Sequence, residues 1–481
     1  MPIRFNDNLL LWALGVLQPV SAIQIKEMLS QIFPSVSPLP SSNYIESLCK
    51  SWVSEGAVVK IPIKPFYLYS LTYKGNSKLF PKLRRHRDKA RLFLLKKARS
   101  AKILMSGEQL RELAGVSLAE DGSRYTQELW RPIKPAVTSA GRFYWPPLSQ
   151  QLLSLAGPEI SSPDIFFDYY SFPTLQALRA ASINTAEIND TSIHDLALAI
   201  GISPRLITSF LHAPENHYRS FEIGKRGGGT RTIKAPRLFL KVLQYWILDY
   251  MLFSLKVHPS CHSYQRGKSI ITNASQHVSK PFVANLDIKD FFGSISTSQV
   301  NNLFKENGFG KKISRVLARL VTLEDALPQG APTSPIISNS FLYEFDEGFS
   351  RLAPFYGINY TRYADDITLS GDRKDIIINL INDLTKHLNQ YGLSINKAKT
   401  RIASKSGQQR VTGLVVNVRA TPPRKFRRIV RAIFHNAYCR PNEYKSRIPE
   451  ITGYLSYLKS FPYLADSKSL KEYVRTISKL R

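Results

Sequence analysis

The sequence predicts an α+β protein built from several domains, and three observations lead to this class. Its 481 residues exceed what one hydrophobic core usually organises, because a domain averages about 100–200 residues. The N-terminal part combines helical patterns with two short strand patterns. From about residue 190 onward, helical patterns, strands and Gly or Pro turns alternate densely.

Residues 1–80 are predicted to form a winged-helix-like domain. Three helical patterns come first, with helix starts indicated at Ser21 and Asn43, each followed three residues later by the Gln or Glu of a capping box. Two β-branched and aromatic segments, 58–63 and 66–71, then predict short strands. Three helices followed by a β-ribbon resemble a winged helix. A helical packing domain without a ligand is the alternative interpretation.

Residues 81–190 are predicted to be a basic helix followed by a connecting region of unknown fold. Ten Lys or Arg and a single acid, Asp88, lie between Lys82 and Lys102. This density favours contacts with phosphates, and a solvated surface is the alternative. The rest of the region carries Pro-rich turns and no motif that indicates a chemistry.

The charge balance predicts the class of partner. Lys and Arg number 66 against 36 Asp and Glu, a net charge of +30 that would attract a polyanion such as nucleic acid. No membrane partner is expected, because the chain has no apolar run of 18 residues. Cys49, Cys261 and Cys439 are isolated, so we expect neither a disulfide framework nor a zinc site, and a cytoplasmic location.

Three aspartates fall at the ends of strand-like segments. The apolar run 282–288 contains Asp287 near its end, and the segment 358–369 holds Asp365 and Asp366 in a tight turn. An acid pair in a turn is commonly just solvated. Phosphoryl transfer, however, uses carboxylates to hold two Mg²⁺ ions about 3.5–4 Å apart. The three aspartates are therefore candidate catalytic and metal-binding residues.

These segments resemble the reverse transcriptase family. LDIKDFF at 286–292, LPQGAPTSP at 327–335 and YADD at 363–366 occur in the family's order and approximate spacing. The resemblance implies a right-hand polymerase that copies RNA into DNA from deoxynucleoside triphosphates, with two Mg²⁺ ions as cofactors. Fingers and palm would span residues 191–420, and a helical thumb residues 421–481.

The same resemblance implies roles for single residues. Asp287 and Asp365 would bind both metal ions. Asp366 would support one of them, with help from the backbone carbonyl of Ile288. Phe292 occupies the aromatic position that excludes a ribose 2′-hydroxyl, and an ordinary core Phe is the alternative. The nucleotide-binding candidates are Lys225, Arg231, Asp290, Phe292, Gln329, Gly330 and Lys399.

Three of these candidates are cations. Lys225 and Arg231 flank the Gly-rich tip 227–229 of a predicted hairpin that resembles the family's fingers hairpin, where they would clamp the triphosphate. A mobile surface hairpin is the alternative. Lys399 resembles the residue that protonates or neutralises the leaving pyrophosphate, and a solvated lysine is the alternative.

Two shorter strings narrow the family. Residues 273–277 fit the pattern NAxxH and residues 411–413 fit VTG, and both resemble retron reverse transcriptases. These bacterial enzymes recognise a partner noncoding RNA, prime from an internal guanosine 2′-hydroxyl, and make a branched RNA–DNA used in defence against phage. NAxxH could instead cap a local loop. The RNA-binding candidates are Asn273, His277, Val411, Thr412, Gly413, and the thumb residues Arg424, Arg428 and Arg431.

Two other functions stay open. A group II intron-like or other bacterial defence reverse transcriptase would share the catalytic motifs. A non-catalytic nucleic-acid-binding regulator could retain the polymerase fold and use the winged helix. Residues 1–190 exceed a minimal retron enzyme, so we expect them to be dispensable for polymerisation and to act as an adaptor or effector, or to bind an effector protein.

Overall fold

A computed structural model describes most of the chain. The predicted connecting region from residue 101 to 190, and Lys225 at the hairpin tip, lie outside the described residues. The described residues are 7–18, 20–33, 38–63, 66–100, 193, 196–197, 200, 202–224, 229–252, 255–465 and 467–480.

Helices and strands are mixed along the chain, which agrees with the predicted α+β class. The helices are α1 (Asp7–Leu17), α2 (Ala22–Ile32), α3 (Ser42–Ser54), α4 (Tyr73–Lys78), α5 (Pro81–Ser100), α6 (Pro204–His212), α7 (Leu238–Tyr250), α8 (Ile270–Ser275), α9 (Thr297–Glu306), α10 (Lys311–Val321), α11 (Ser334–Phe341), α12 (Tyr343–Phe355), α13 (Lys374–Gln390), α14 (Arg424–Cys439), α15 (Pro441–Tyr444), α16 (Ile448–Lys459), α17 (Pro462–Ala465) and α18 (Lys468–Leu480). The strands are β1 (Val58–Ile63), β2 (Phe66–Leu71), β3 (Tyr218–Gly224), β4 (Thr230–Pro236), β5 (Phe282–Asp287), β6 (Asn359–Tyr363), β7 (Asp366–Gly371), β8 (Arg401–Ser404), β9 (Arg410–Val411) and β10 (Leu414–Val415).

The chain forms two compact units. The first unit contains the described residues up to Lys256 together with Phe292–Phe341. The second unit contains Val257–Phe291 together with the described residues from Leu342 onward. None of the described helices is long and apolar enough to cross a membrane.

The N-terminal elements of the first unit follow the predicted order. Helices α1 to α3 precede an antiparallel β1–β2 hairpin whose strands have the predicted bounds. The capping box at Ser21 is present, because its hydroxyl accepts from the N–H of Gln24 and the Gln24 side chain accepts from the Ser21 N–H. The start predicted at Asn43 is wrong. Ser41 caps α3 by accepting from the N–H of Tyr44. A winged-helix identity for this region stays a prediction.

Helix α5 is the predicted basic helix, but part of it is buried within the first unit. Arg91 is fully buried, and its guanidinium donates to the carbonyls of Val16 at 2.9 Å and Ile200 at 2.7 Å. The carboxylate of Asp88 accepts from the N–H of Ser203 at 2.7 Å. Because buried charges must be paired or hydrogen-bonded, these contacts tie α5 to α1 and to the start of α6. They argue against the expectation that the N-terminal residues are dispensable for polymerisation.

The second unit is organised by a four-stranded antiparallel sheet with the order β6-β7-β5-β8. Helices α12 and α13 pack against β6 and β7, and the interior residues of β5 and β7 include Val283, Leu286, Ile367 and Leu369. Strands β5 and β7 pair over their whole lengths, so the last residue of β5 lies beside the first residue of β7 at one end of the sheet. That end carries the predicted carboxylates.

The C-terminal helices have a core of their own. Helices α14, α16 and α18 bury apolar side chains such as Phe434, Ile451 and Ile477 in one cluster. The opposite face of α14 is exposed and carries all four of its arginines. The described residues from Arg424 onward are mainly helical, and the identity of this region as a thumb stays a prediction.

Candidate active site

The structure brings the three predicted catalytic aspartates together. Asp287 is the last residue of β5 and lies directly across from Asp366, the first residue of β7. Opposed residues in antiparallel strands have Cα atoms about 4.5–5.5 Å apart. Asp365 lies in the two-residue turn between β6 and β7, and its carbonyl accepts from the N–H of Ile288 at 2.9 Å. The carboxylates therefore share one end of the sheet.

A lysine completes this cluster. Lys399 donates to both carboxylate oxygens of Asp287, at 2.8 and 2.9 Å. The loop that carries it is held by the N–H of Asn396, which donates to the Asp287 carbonyl at 2.7 Å. The Lys399 side chain is 58% exposed, whereas that of Asp287 is 16% exposed. Lys399, the candidate for neutralising the leaving pyrophosphate, thus contacts one of the three carboxylates.

The charge distribution favours cation binding. Desolvation and the like charges of Asp365 and Asp287 raise the pKa of Asp366 to about 6, and Lys399 opposes the shift. A bound cation would offset the repulsion between the carboxylates, which contributes to this rise in the pKa together with desolvation.

The described residues contain no group of three His, Cys, Asp or Glu side chains that could by itself hold a metal ion. Magnesium does not require one, since it usually keeps waters and substrate phosphates and takes only one or two carboxylates from the protein. Asp287 and Asp366, paired across two strands, fit this demand.

The first unit contains four of the described nucleotide-binding candidates, Arg231, Phe292, Gln329 and Gly330. Strands β3 and β4 form the predicted hairpin, in which exposed Arg231 lies opposite Ile223. The N–H of Lys234 donates to the carbonyl of Gln329 at 3.0 Å. Gly330 has a φ of 126°, and a Cβ atom there would lie 3.0 Å from the Lys234 carbonyl oxygen. Only glycine allows this close approach, so the loop 327–335 is fixed against the hairpin.

Two further nucleotide-binding candidates, Phe292 and Asp290, lie in the segment LDIKDFF and differ in their exposure. Phe292 is half-buried, and its carbonyl accepts from the N–H of Ile295 at 3.3 Å. Asp290 is exposed and has a φ of 44°. Their roles toward a nucleotide stay predictions.

The predicted RNA contact by the NAxxH side chains requires correction. Asn273 and His277 are both fully buried. The imidazole of His277 makes hydrogen bonds of 2.7 Å with the hydroxyls of Ser370 and Thr361. A side chain enclosed in this way cannot reach an RNA strand at the surface. These residues instead contribute to the interior of the second unit.

The VTG residues form a tight turn that packs against the NAxxH helix. Thr412 and Gly413 connect β9 to β10 with φ of 46° and 83°, as in a type I′ hairpin turn. The Thr412 hydroxyl donates to the carbonyl of Ile270 in α8 at 3.1 Å. Val411 is buried in one cluster with Ala274. The predicted RNA contact is therefore also wrong for the Val411 side chain, whereas Gly413 is exposed.

The thumb candidates are accessible. Arg424, Arg428 and Arg431 are all exposed on α14. Their helix buries Val430 and Phe434 on the other side. This face can therefore meet a phosphate backbone, as the sequence predicts.

An ion pair behind the turn that carries Asp365 and Asp366 was not predicted from the sequence. Arg362 and Asp346 are both fully buried, with Arg362 Nη2 2.5 Å from Asp346 Oδ2. One signal was present, since an arginine interrupts the otherwise uncharged strand Asn359–Tyr363. Its partner could not be identified, because Asp346 is one of several acids in α12.

Comparisons with known proteins agree with this geometry. The family model described as reverse transcriptase (RNA-dependent DNA polymerase) matches residues 223–418. The chain is 34% identical over 287 residues to the retron Mx65 reverse transcriptase of Myxococcus xanthus, covering 55% of this chain and 67% of that protein. It is 32% identical over 309 residues to the retron Ec86 reverse transcriptase of Escherichia coli, covering 64% of this chain and 94% of that protein.

A solved structure also shows some similarity. Telomerase from Candida albicans, in complex with a fragment of telomeric RNA, matches 55% of this chain and 63% of that chain, with 13% identity and a TM-score of 0.33. That score is too low to carry an argument. The polymerase fold rests on the family match.

Proposed function

Because the chain belongs to the retron reverse transcriptase family and is thus an RNA-directed DNA polymerase, we propose that it copies a partner noncoding RNA into a branched RNA–DNA molecule. We further propose that this product serves antiphage defence. The enzyme would work in the cytoplasm, as its isolated cysteines predict.

The observation that carries the proposal is the pairing of Asp287 with Asp366, with Asp365 in the adjoining turn. Two bound Mg²⁺ ions would activate the attacking hydroxyl and offset the charge on the transferred phosphate. The three carboxylates would hold them, with the carbonyl of Ile288. In each cycle the primer hydroxyl would give up its proton to water and form a bond to the α-phosphorus of a deoxynucleoside triphosphate, while the bond from the α-phosphorus to the oxygen bridging to the β-phosphate breaks and pyrophosphate leaves.

Other residues would bind the nucleotide. Lys225 and Arg231 on the fingers hairpin would contact the triphosphate, and Lys399 would neutralise the departing pyrophosphate. Phe292 would lie beside the sugar and exclude a 2′-hydroxyl. Asp290, Gln329 and Gly330 would complete the nucleotide site.

The partner RNA would be held mainly through its phosphates. Exposed Arg424, Arg428 and Arg431 on α14 are suited to an RNA–DNA duplex, which proteins recognise largely by shape and backbone charge. The exposed Gly413 of the VTG turn would approach the same RNA. The winged-helix-like N-terminal region would act as an adaptor or effector, or bind an effector protein.

The test is to sequence the nucleic acid that copurifies with the full chain. We expect one structured RNA joined to complementary DNA through a 2′,5′ branch that a debranching enzyme cleaves. The same preparation of Asp366→Asn should contain the RNA without the DNA. DNA of random sequence, or a linear product insensitive to debranching, would contradict the proposal.

A further inference from the structure

The turn that carries Asp365 and Asp366 contains a strained residue. Ala364 has a φ of 56°, a region that residues other than glycine seldom adopt because the Cβ atom comes too close to the following carbonyl oxygen. Such strain persists only where the surroundings impose it. The position is also 95% buried, with only 5% of Ala364 exposed.

Both polar groups of this residue are bound by side chains. The N–H of Ala364 donates to the hydroxyl of Ser263 at 2.9 Å. Its carbonyl accepts from Nη1 of Arg362 at 3.1 Å. Ser263 and Arg362 are fully buried, so water does not compete for these bonds. The peptide groups around Ala364 are thus held from two sides.

Arg362 is itself held in one orientation. Its Nε donates to both oxygens of Asp346, at 2.9 and 3.1 Å. The hydroxyl of Tyr360 donates to Asp346 Oδ1 at 2.6 Å. The backbone of Arg362 also bonds to a neighbouring loop, donating to the carbonyl of Ser260 at 3.0 Å and accepting from the N–H of His262 at 2.7 Å. That loop delivers Ser263 to the turn.

Stability alone does not account for this arrangement. A buried ion pair can often be replaced by apolar side chains of similar volume without loss of stability. What an apolar pair cannot provide is a guanidinium that bonds Asp346 with two of its nitrogens and the Ala364 carbonyl with the third.

We propose that Ser263 and Arg362 are positioning residues of the polymerase reaction, which hold the Ala364 turn so that Asp365 and Asp366 stay in register with Asp287. The proposal rests on the proposed function of the three carboxylates. Asp346 acts one step further away by orienting Arg362.

The first experiment removes the Ser263 hydroxyl. Ser263→Ala should lower kcat of primer extension about tenfold, the loss expected from one buried hydrogen bond, with KM for the deoxynucleotide changed less than about twofold. Mn²⁺ affinity without substrate, measured by electron paramagnetic resonance, should fall as well. Ser263→Thr, which keeps the hydroxyl, should restore both.

Ser370→Ala is the matched control. It removes a buried hydroxyl from the same sheet, one that contacts His277 and not the turn. It should lower the unfolding temperature while kcat and Mn²⁺ affinity stay within about twofold of wild type. If Ser263→Ala and Ser370→Ala have equal effects on kcat and Mn²⁺ affinity, Ser263 is only a packing residue and the proposal is overturned.

The second experiment separates stability from position at Arg362. Arg362→Met alone would leave Asp346 buried and unpaired and is expected to unfold the protein. The triple variant Arg362→Met, Asp346→Leu and Tyr360→Phe, which also removes the hydroxyl that would lose its acceptor, should regain stability but not kcat. Recovery of both would overturn the role of Arg362. These outcomes are distinct from failure of the proposed function, which would be seen as full activity of Asp366→Asn.

Discussion

The Nζ atom of Lys399 lies within hydrogen-bond distance of both carboxylate oxygens of Asp287, at 2.8 and 2.9 Å. This lysine adds positive charge to a cluster whose three carboxylates repel one another. Desolvation and the neighbouring carboxylates raise the pKa of Asp366 to about 6, and Lys399 offsets part of this rise. Lys399, the candidate for neutralising the leaving pyrophosphate, thus contacts Asp287, a candidate for metal binding.

Removal of the Lys399 charge should make the site more sensitive to acid. Without the cation, the pKa of Asp366 rises above about 6, so protons compete with Mg²⁺ at higher pH. Lys399→Gln should shift the acid limb of the kcat/KM profile upward, and Lys399→Arg should not. The Mg²⁺ concentration for half-maximal rate at pH 6 measures the effect. If the pH profiles of kcat/KM for Lys399→Gln and wild type superimpose, Lys399 is only a solvated surface lysine.

The aromatic residue Phe292 is expected to select the sugar. Phe292→Ala should raise incorporation of ribonucleotides relative to deoxynucleotides, because a filled apolar pocket rejects an added hydroxyl by up to about 10²-fold. Competition assays with both nucleotides measure the ratio, and Phe291→Leu in the adjacent buried position serves as the control. An unchanged ratio in Phe292→Ala would identify an ordinary core residue.

His277 should make the second unit sensitive to acid. Burial, with smaller effects of His262 and Lys280, lowers the pKa of His277 to about 3. The folded pKa is below the unfolded value of about 6.5, so the contribution to stability is complete above that pH and is lost as the pH falls. Between pH 7 and pH 5 this loss is about 2 kcal/mol. His277→Gln should be less stable than wild type at pH 7. In urea denaturation, the difference in free energy of unfolding between the two proteins should be about 2 kcal/mol smaller at pH 5 than at pH 7. A difference that stays the same at both pH values would argue against a buried neutral imidazole.

The N-terminal helices should be required for a folded first unit. A chain beginning near residue 190 loses the Asp88 carboxylate that binds Ser203 and the Arg91 guanidinium that binds Ile200. We expect it to lose cooperative unfolding by circular dichroism and to fail in primer extension. Arg91→Ala in the full chain should weaken the same unit by about 1–3 kcal/mol, because the buried carbonyls of Val16 and Ile200 lose their hydrogen-bond donor. A soluble, folded and active truncated enzyme would show that the region is a separate accessory domain.

Local patterns predicted the elements that carry the carboxylates. The apolar run before Asp287 and the two strand-like halves around Asp365 and Asp366 are features of neighbouring residues, and they became β5, β6 and β7. The start of α3 was mispredicted because Ser41 and Asn43 both have capping side chains, and only the backbone conformation decides between them.

Long-range contacts could not be predicted in this way. The buried guanidinium of Arg91 donates a hydrogen bond to the carbonyl of Ile200, 109 residues away. The run of basic residues around Arg91 does not indicate this contact. His277 was expected to contact RNA, and its burial could not be predicted because its two hydroxyl partners lie 93 and 84 residues away. The ion pair of Arg362 with Asp346 depends in the same way on how α12 packs on the sheet.

The central claim is that Asp287, Asp365 and Asp366 form the site of DNA synthesis, and substitution of one carboxylate tests it most directly. Asp366→Asn keeps the size of the side chain and removes its charge, so we expect the protein to fold and to bind RNA as before. Mg²⁺-dependent incorporation of radiolabelled deoxynucleotide should fall to background in Asp366→Asn, and also in Asp365→Asn. Asp375→Asn, an exposed aspartate in the first turn of α13, is the control and should retain wild-type incorporation. Wild-type incorporation by Asp366→Asn or Asp365→Asn would contradict the account.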